Sequence, residues 1–114
     1  MGYDMEIVDS QSLEPVEGVE DPGYFRLNIW GMQRFRDYMD KLGMFSDRGI
    51  ELHTLCSNDG WWVRDTWIQN SLKWYDAWQN PVKEASIFPD DVEYWNKWIQ
   101  YLRRAADHGG FKVW

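Results

Sequence analysis

Over residues 92–106 the apolar side chains recur at helical spacing and cover about half the circumference, a wider arc than one helix–helix seam needs. Val92, Trp95, Ile99, Leu102 and Ala106 make a central stripe, with Tyr94, Trp98, Tyr101 and Ala105 in a second stripe beside it. The charged and amide residues between them take the remaining face. An arc this broad is satisfied by packing on a partner helix and on a sheet together. Pro89, Asp90 and Asp91 open the helix, either aspartate being expected to cap it, and Gly109 and Gly110 end it.

Two further helices are expected. Between Asn28, a predicted N-cap, and Gly43, a predicted left-handed terminus, Gly31, Met32, Phe35, Tyr38, Met39 and Leu42 fall on one side. After Asp65, read as a cap, Trp67, Ile68, Leu72, Trp74, Tyr75 and Trp78 occupy one half-circle, and Asn80 and Pro81 are expected to stop that helix. Alternation of Tyr3, Met5 and Ile7 predicts a strand over 3–8. Residues 24–28 are open to a strand, 50–55 to a short one, and 61–63 and 111–114 read as strands. The expected fold class is α+β: about three amphipathic helices packed on a small sheet of three to four short strands. Residues 1–114 are long enough for one domain and too short for two.

Charge narrows the function. Seven of the 19 acidic residues precede Arg26, the first basic one, and the other twelve are matched by twelve basic residues, within a net charge of −7. Residues 9–23 read as a solvated acidic loop punctuated by Pro15, Gly18, Pro22 and Gly23, and residues 9–22 of it are expected to be dispensable for folding. No basic footprint for nucleic acid is present, and acidity confined to one segment argues against DNA mimicry. No run of about 18 apolar residues spans a membrane, and the opening lacks the features of a signal peptide. The single cysteine, Cys56, forbids an internal disulfide; it reads as a small buried core residue in a reducing, cytoplasmic compartment, and as a reactive thiol if exposed.

The segments YFRLNIWGM (24–32), SNDGWWV (57–63) and WNKWIQYLRRAADHGGFKVW (95–114) resemble small uncharacterised proteins encoded by actinobacteria and their phages. The resemblance covers the last three-quarters of the chain in pieces, and this chain is short between Gly43 and Ile50. It implies a bacterial or phage cytosolic protein and carries over no activity.

Chemistry-bearing motifs are sparse. His53-x-x-Cys56 is one loose pair with no second pair to complete a zinc tetrahedron, and His108 has a sufficient role at a helix end, so no metal or other cofactor is expected. Ser57, Cys56, His53 and Asp59 crowd into one stretch of chain instead of converging from separate elements, and no nucleophile elbow or phosphate-cradling glycine loop occurs. No catalytic residue is expected. The turn Ser57–Asn58–Asp59–Gly60 has a structural reading, through side chains that bond their own backbone. It also has a recognition reading, with Asn58 and Asp59 facing a ligand beside Trp61 or Trp62.

Nine tryptophans are the remaining signal. Each buried indole needs a partner for its N–H, so some are expected at the surface, where aromatics favour a groove or an oligomer interface. Trp67, Trp74 and Trp78 edge one arc, and Tyr94, Trp98 and Tyr101 edge the other. If both helices pack through their aliphatic centres, these edges flank a groove floored by Trp61 and Trp62; the alternative places all of these rings in the core. The expected function is a small non-enzymatic binding protein acting through protein–protein contact, a phage-encoded host-modulating or counter-defence factor being one form. The alternative is a small-molecule site for a nucleotide or sugar in an aromatic-lined pocket, and self-association as a homodimer is third. The expected partner is a host protein or small ligand, with no direct nucleic acid and no membrane.

Overall fold

The two ends of the chain lie side by side in the centre of one antiparallel sheet. In the computed structural model, which describes residues 2–9, 11–12, 24–46 and 48–114, strand β1 (Gly2–Ile7) pairs with β2 (Tyr24–Asn28) on one side and with β4 (Phe111–Val113) on the other. Strand β3 (Trp61–Val63) completes the order β2-β1-β4-β3. The register places Met5 opposite both Phe25 and Val113, and Val113 opposite Trp61. Met5, Phe25 and Val113 of that row are buried, and Trp61, on the edge strand, stays exposed. The neighbouring row, Tyr24, Glu6, Lys112 and Trp62, points to the other face.

Among the described residues four α-helices accompany the strands: α1 (Ile29–Lys41), α2 (Asp65–Asp76), α3 (Asn80–Ser86) and α4 (Val92–Ala106). The α+β class is therefore as the sequence predicts, with one short helix more. Asn28 caps α1, its Oδ1 accepting from the Gly31 N–H at 2.6 Å, and Gly43 takes a positive φ just past the helix end. All six residues expected on the inner side of α1 are buried. Helix α4 lies between the sheet and α2, so both of its stripes are needed for packing. The hydrophobic core runs without a break from Met5, Ile7 and Phe111 of the sheet through Trp98 and Trp95 to Ile68 and Leu72.

Glycine is obligatory where α4 returns to the sheet. Gly110 has φ +89°, and a β-carbon there would stand 2.0 Å from the Val63 carbonyl oxygen. The same passage ties the layers together: the Gly109 N–H donates to the Val8 carbonyl at 2.8 Å, and the Trp62 indole donates to the Gly109 carbonyl at 2.8 Å.

Several local expectations need correction. Residues 52–55 form a 3-10 helix, because Glu51 offers its carbonyl to both the N–H and the hydroxyl of Thr54 and closes the chain on itself. Arg64, not Asp65, holds the cap position of α2; Asp65 is already helical and accepts from the Thr66 N–H at 2.9 Å. Asn80 and Pro81 do not stop α2, which ends at Asp76; they open α3, whose first turn has no use for the missing proline N–H. Asp91 precedes α4 without capping it, since its carboxylate is engaged elsewhere. Cys56 is exposed, just beyond the 3-10 helix, with its thiol donating to the Leu52 carbonyl at 3.3 Å. The acidic loop over 9–23 lies largely outside the described residues; at its start the Asp9 carboxylate accepts from the N–H groups of Gln11 and Ser12. Among the described residues no helix is long and apolar enough to cross a membrane.

Candidate functional site

The two aromatic edges do not flank a common groove. Trp98 is 0% exposed and packs on Phe25 and Phe111 at centroid separations of 5.4 and 5.9 Å, stacked on the equally buried Tyr101. Both were expected at a binding surface and both are core, because α4 turns that edge onto the sheet. The buried indole N–H of Trp98 finds no acceptor among the described residues. Trp67 is half-buried and packs against the core.

The other edge does face outward. Trp74 is 49% exposed and Trp78 40%, at the C-terminal end of α2 and just beyond it. Two shallow concavities lie against this pair. One, of about 340 Å3, is bounded by Arg48, Asn70, Lys73 and Trp74, and the other, of about 360 Å3, by Leu42, Gly43, Ser46 and Trp78. Trp74 and Ala77 line both, so the Trp74 ring is the ridge between them.

The sequence positions this ledge through the loop that follows α1. Ser71, buried on α2, donates its hydroxyl to the Met44 carbonyl and accepts from the Ile50 N–H at 2.8 Å, holding both ends of residues 44–50. The Asn70 amide donates to the Arg48 carbonyl at 2.8 Å. The Trp78 indole N–H donates to the Leu42 carbonyl at 2.7 Å, which fixes that ring against the end of α1. The ledge is thus an apolar, pre-set surface rimmed by Arg48 and Lys73.

Residues of the 57–60 turn serve the fold. Ser57 Oγ accepts from the Trp61 indole at 2.7 Å, the Asn58 amide donates to the Gly2 carbonyl at 3.1 Å, and Gly60 supplies a positive φ. Asp59 is exposed and Trp62 is half-buried under the Arg64 guanidinium, 4.9 Å from its ring centroid. His53 stands edge-on to Trp61 at 4.9 Å, with Nδ1 3.3 Å from Glu51. Among the described residues no three His, Cys, Asp or Glu side chains gather as metal ligands would.

A second site is formed by residues to which the sequence assigns other roles or none. A cleft of about 310 Å3 runs beside β2 between the starts of α1 and α4, lined by Arg26, Asn28, Arg34, Asp91 and Tyr94. Arg34 Nε donates to Asp91 at 2.9 Å, the Tyr38 hydroxyl donates to the same carboxylate, and the Tyr94 hydroxyl donates to the Arg26 carbonyl. Burial raises the Asp91 carboxyl, but the bonds from Tyr38 and Arg34 outweigh it and hold it below the usual range. Burial, with the Asp91 bond, pushes the Tyr38 hydroxyl up to about 12. Trp30 and Phe88, 70% and 67% exposed, are the most exposed large apolar residues described. Phe88 lies edge-on to Tyr38, 6.3 Å away, and Trp30 lies one helical turn before Arg34. The one sequence signal was that turn spacing of Trp30, Arg34 and Tyr38; Asp91 joins them from 57 residues beyond Arg34.

Compared with protein-family models, curated proteins and solved structures, the chain matches none.

Proposed function

We propose that this chain is a small, non-enzymatic binding protein of the bacterial or phage cytosol that works through a protein–protein contact at the Trp74–Trp78 ledge. The observation that carries the reading is the half-exposed Trp74 ring standing between two concavities, beside a Trp78 ring already fixed by its hydrogen bond. Rigid, partly exposed tryptophans are the residues that concentrate binding energy when a partner desolvates them. Arg48 and Lys73 at the rim favour a partner whose apolar patch is bordered by carboxylates. A phage-encoded host-modulating or counter-defence factor is the concrete form that the resemblance supports.

A second reading, small-molecule binding of a nucleotide or sugar, rests on the Arg26–Arg34–Asp91 cleft and its fixed polar groups. Affinity capture from host lysate, with mass spectrometry of protein and small-molecule eluates, separates the two. A recurrent protein partner is the expected result. A co-purifying metabolite with no recurrent protein would favour the second reading.

A further inference from the structure

A third cavity, of about 150 Å3, lies between α2, α3 and α4 and shares no lining residue with the ledge or the Arg34–Asp91 cleft. Its apolar floor is Ile87 and Trp95, both buried. Its polar lining comes from three elements: Tyr75 of α2, Asn80 and Lys83 of α3, and Asn96 of α4. The Lys83 ammonium is held over the Tyr75 ring, 4.3 Å from its centroid. Among the described residues Lys83 has no carboxylate within ion-pair distance. Asp76, whose carboxyl is lowered first by its bonds from Arg103 and in smaller part by the Lys83 charge, is instead engaged by Arg103 at 3.0 and 2.7 Å.

Tyr75 is nine-tenths buried and its oxygen accepts from the Trp95 indole at 3.3 Å, but its own proton meets no acceptor among the described residues. The amides of Asn80 and Asn96 are exposed and bond to no described residue. A cation held over the Tyr75 ring, a buried hydroxyl proton and two solvent-facing amides therefore border an apolar floor. Positive charge and donors beside an apolar floor match a ligand with one anionic group and an apolar body. A volume of this size holds a ring of about six heavy atoms.

We propose that the cavity between α2, α3 and α4 binds a small organic monocarboxylate, its carboxylate on Lys83 and the Tyr75 hydroxyl and its aromatic or branched aliphatic body on Ile87 and Trp95. This site is independent of the ledge and of the protein–protein reading. It is tested by calorimetry and by amide chemical shifts with benzoate and isovalerate as probes, and with benzamide as the uncharged counterpart of benzoate. One-to-one binding of at least one carboxylate is expected, with Kd on the order of 0.1–1 mM, benzamide about tenfold or more weaker, and shifts centred on Asn80, Lys83 and Asn96. Lys83→Met is expected to weaken the carboxylate about tenfold while leaving the melting temperature in place, and Lys83→Arg to retain binding. Should Lys83→Met fail to fold, Lys83→Gln gives the same comparison. Absence of binding by both carboxylates, benzamide binding as tightly as benzoate, shifts elsewhere on the surface, or undiminished affinity without the Lys83 charge would each overturn the proposal.

Discussion

The indole N–H of Trp78 donates to the carbonyl of Leu42 at 2.7 Å, so a residue just past α2 closes the C-terminal end of α1. Terminal carbonyls of a helix lack partners within it, and this one is satisfied from across the fold. Trp78→Phe keeps most of the ring and removes the donor. The expected loss is about 1 kcal/mol in urea unfolding, and no loss at all would show that the bond does not hold the ledge.

Trp95 stands at the junction of the layers, edge-on to Phe35 at 5.2 Å and to Tyr38 at 5.6 Å. Truncation to alanine opens a cavity that three elements line, and is expected to cost ~3–5 kcal/mol. Chemical denaturation measures it. A loss under about 1 kcal/mol would place this ring outside the core.

At Gly110 both backbone conformation and space forbid a side chain. Gly110→Ala is expected to cost about 3 kcal/mol or more, from the strained φ together with the clash on Val63. Gly43→Ala is the control: φ is also positive there, but the nearest atom, Ser46 Oγ, is 3.4 Å from the added carbon, and about 1 kcal/mol is expected. Thermal melts of the two variants should differ plainly, and equal losses would contradict the close approach.

The Asp91 carboxylate is held below its ordinary value in the folded protein. Its bonds to Tyr38 and Arg34 therefore stabilise the fold at pH above about 4, and that contribution is lost as pH falls through the lowered folded value. Asp91→Asn should be clearly destabilising at neutral pH and much less so at about pH 3, below the usual carboxylate range. Tyr38 works in the opposite direction: its raised folded value means a contribution complete below pH 10 and lost as pH rises through about 12. Equal destabilisation of Asp91→Asn at both acid and neutral pH would show that the pair is not what the carboxylate contributes.

Helices α1 and α4 were legible because one face of each is apolar at a single period, and a helix that packs on a core has no freedom to do otherwise. The role of Trp98 and Tyr101 was not, since a broad arc on α4 reads alike whether it is covered by a sheet or left to line a groove. Only the position of α4 between the sheet and α2 decides it. Asn80 and Pro81 were ambiguous for a local reason: proline ends one helix and suits the first turn of the next. Missing α3 also hid the cavity that Lys83 enters. Asp91 reaches Arg34 and Tyr38 only through the tertiary fold, and no spacing along the chain announces a pair of that kind. Of the ledge, Trp74 and the arc edge that carries it were visible; its second wall, the loop after α1 fastened by Ser71 and Asn70, was not.

The ledge is tested most directly by comparing partner capture by Trp74→Ala and Trp30→Ala, two truncations of exposed rings on different surfaces. Both variants should unfold within about 0.5 kcal/mol of the parent chain, as substitutions outside the core do. The account predicts that Trp74→Ala binds the captured protein about 30-fold more weakly or not at all, the effect of removing a central anchor worth about 2 kcal/mol, while Trp30→Ala binds it as the parent does. Undiminished capture by a folded Trp74→Ala, or loss confined to Trp30→Ala, would contradict it.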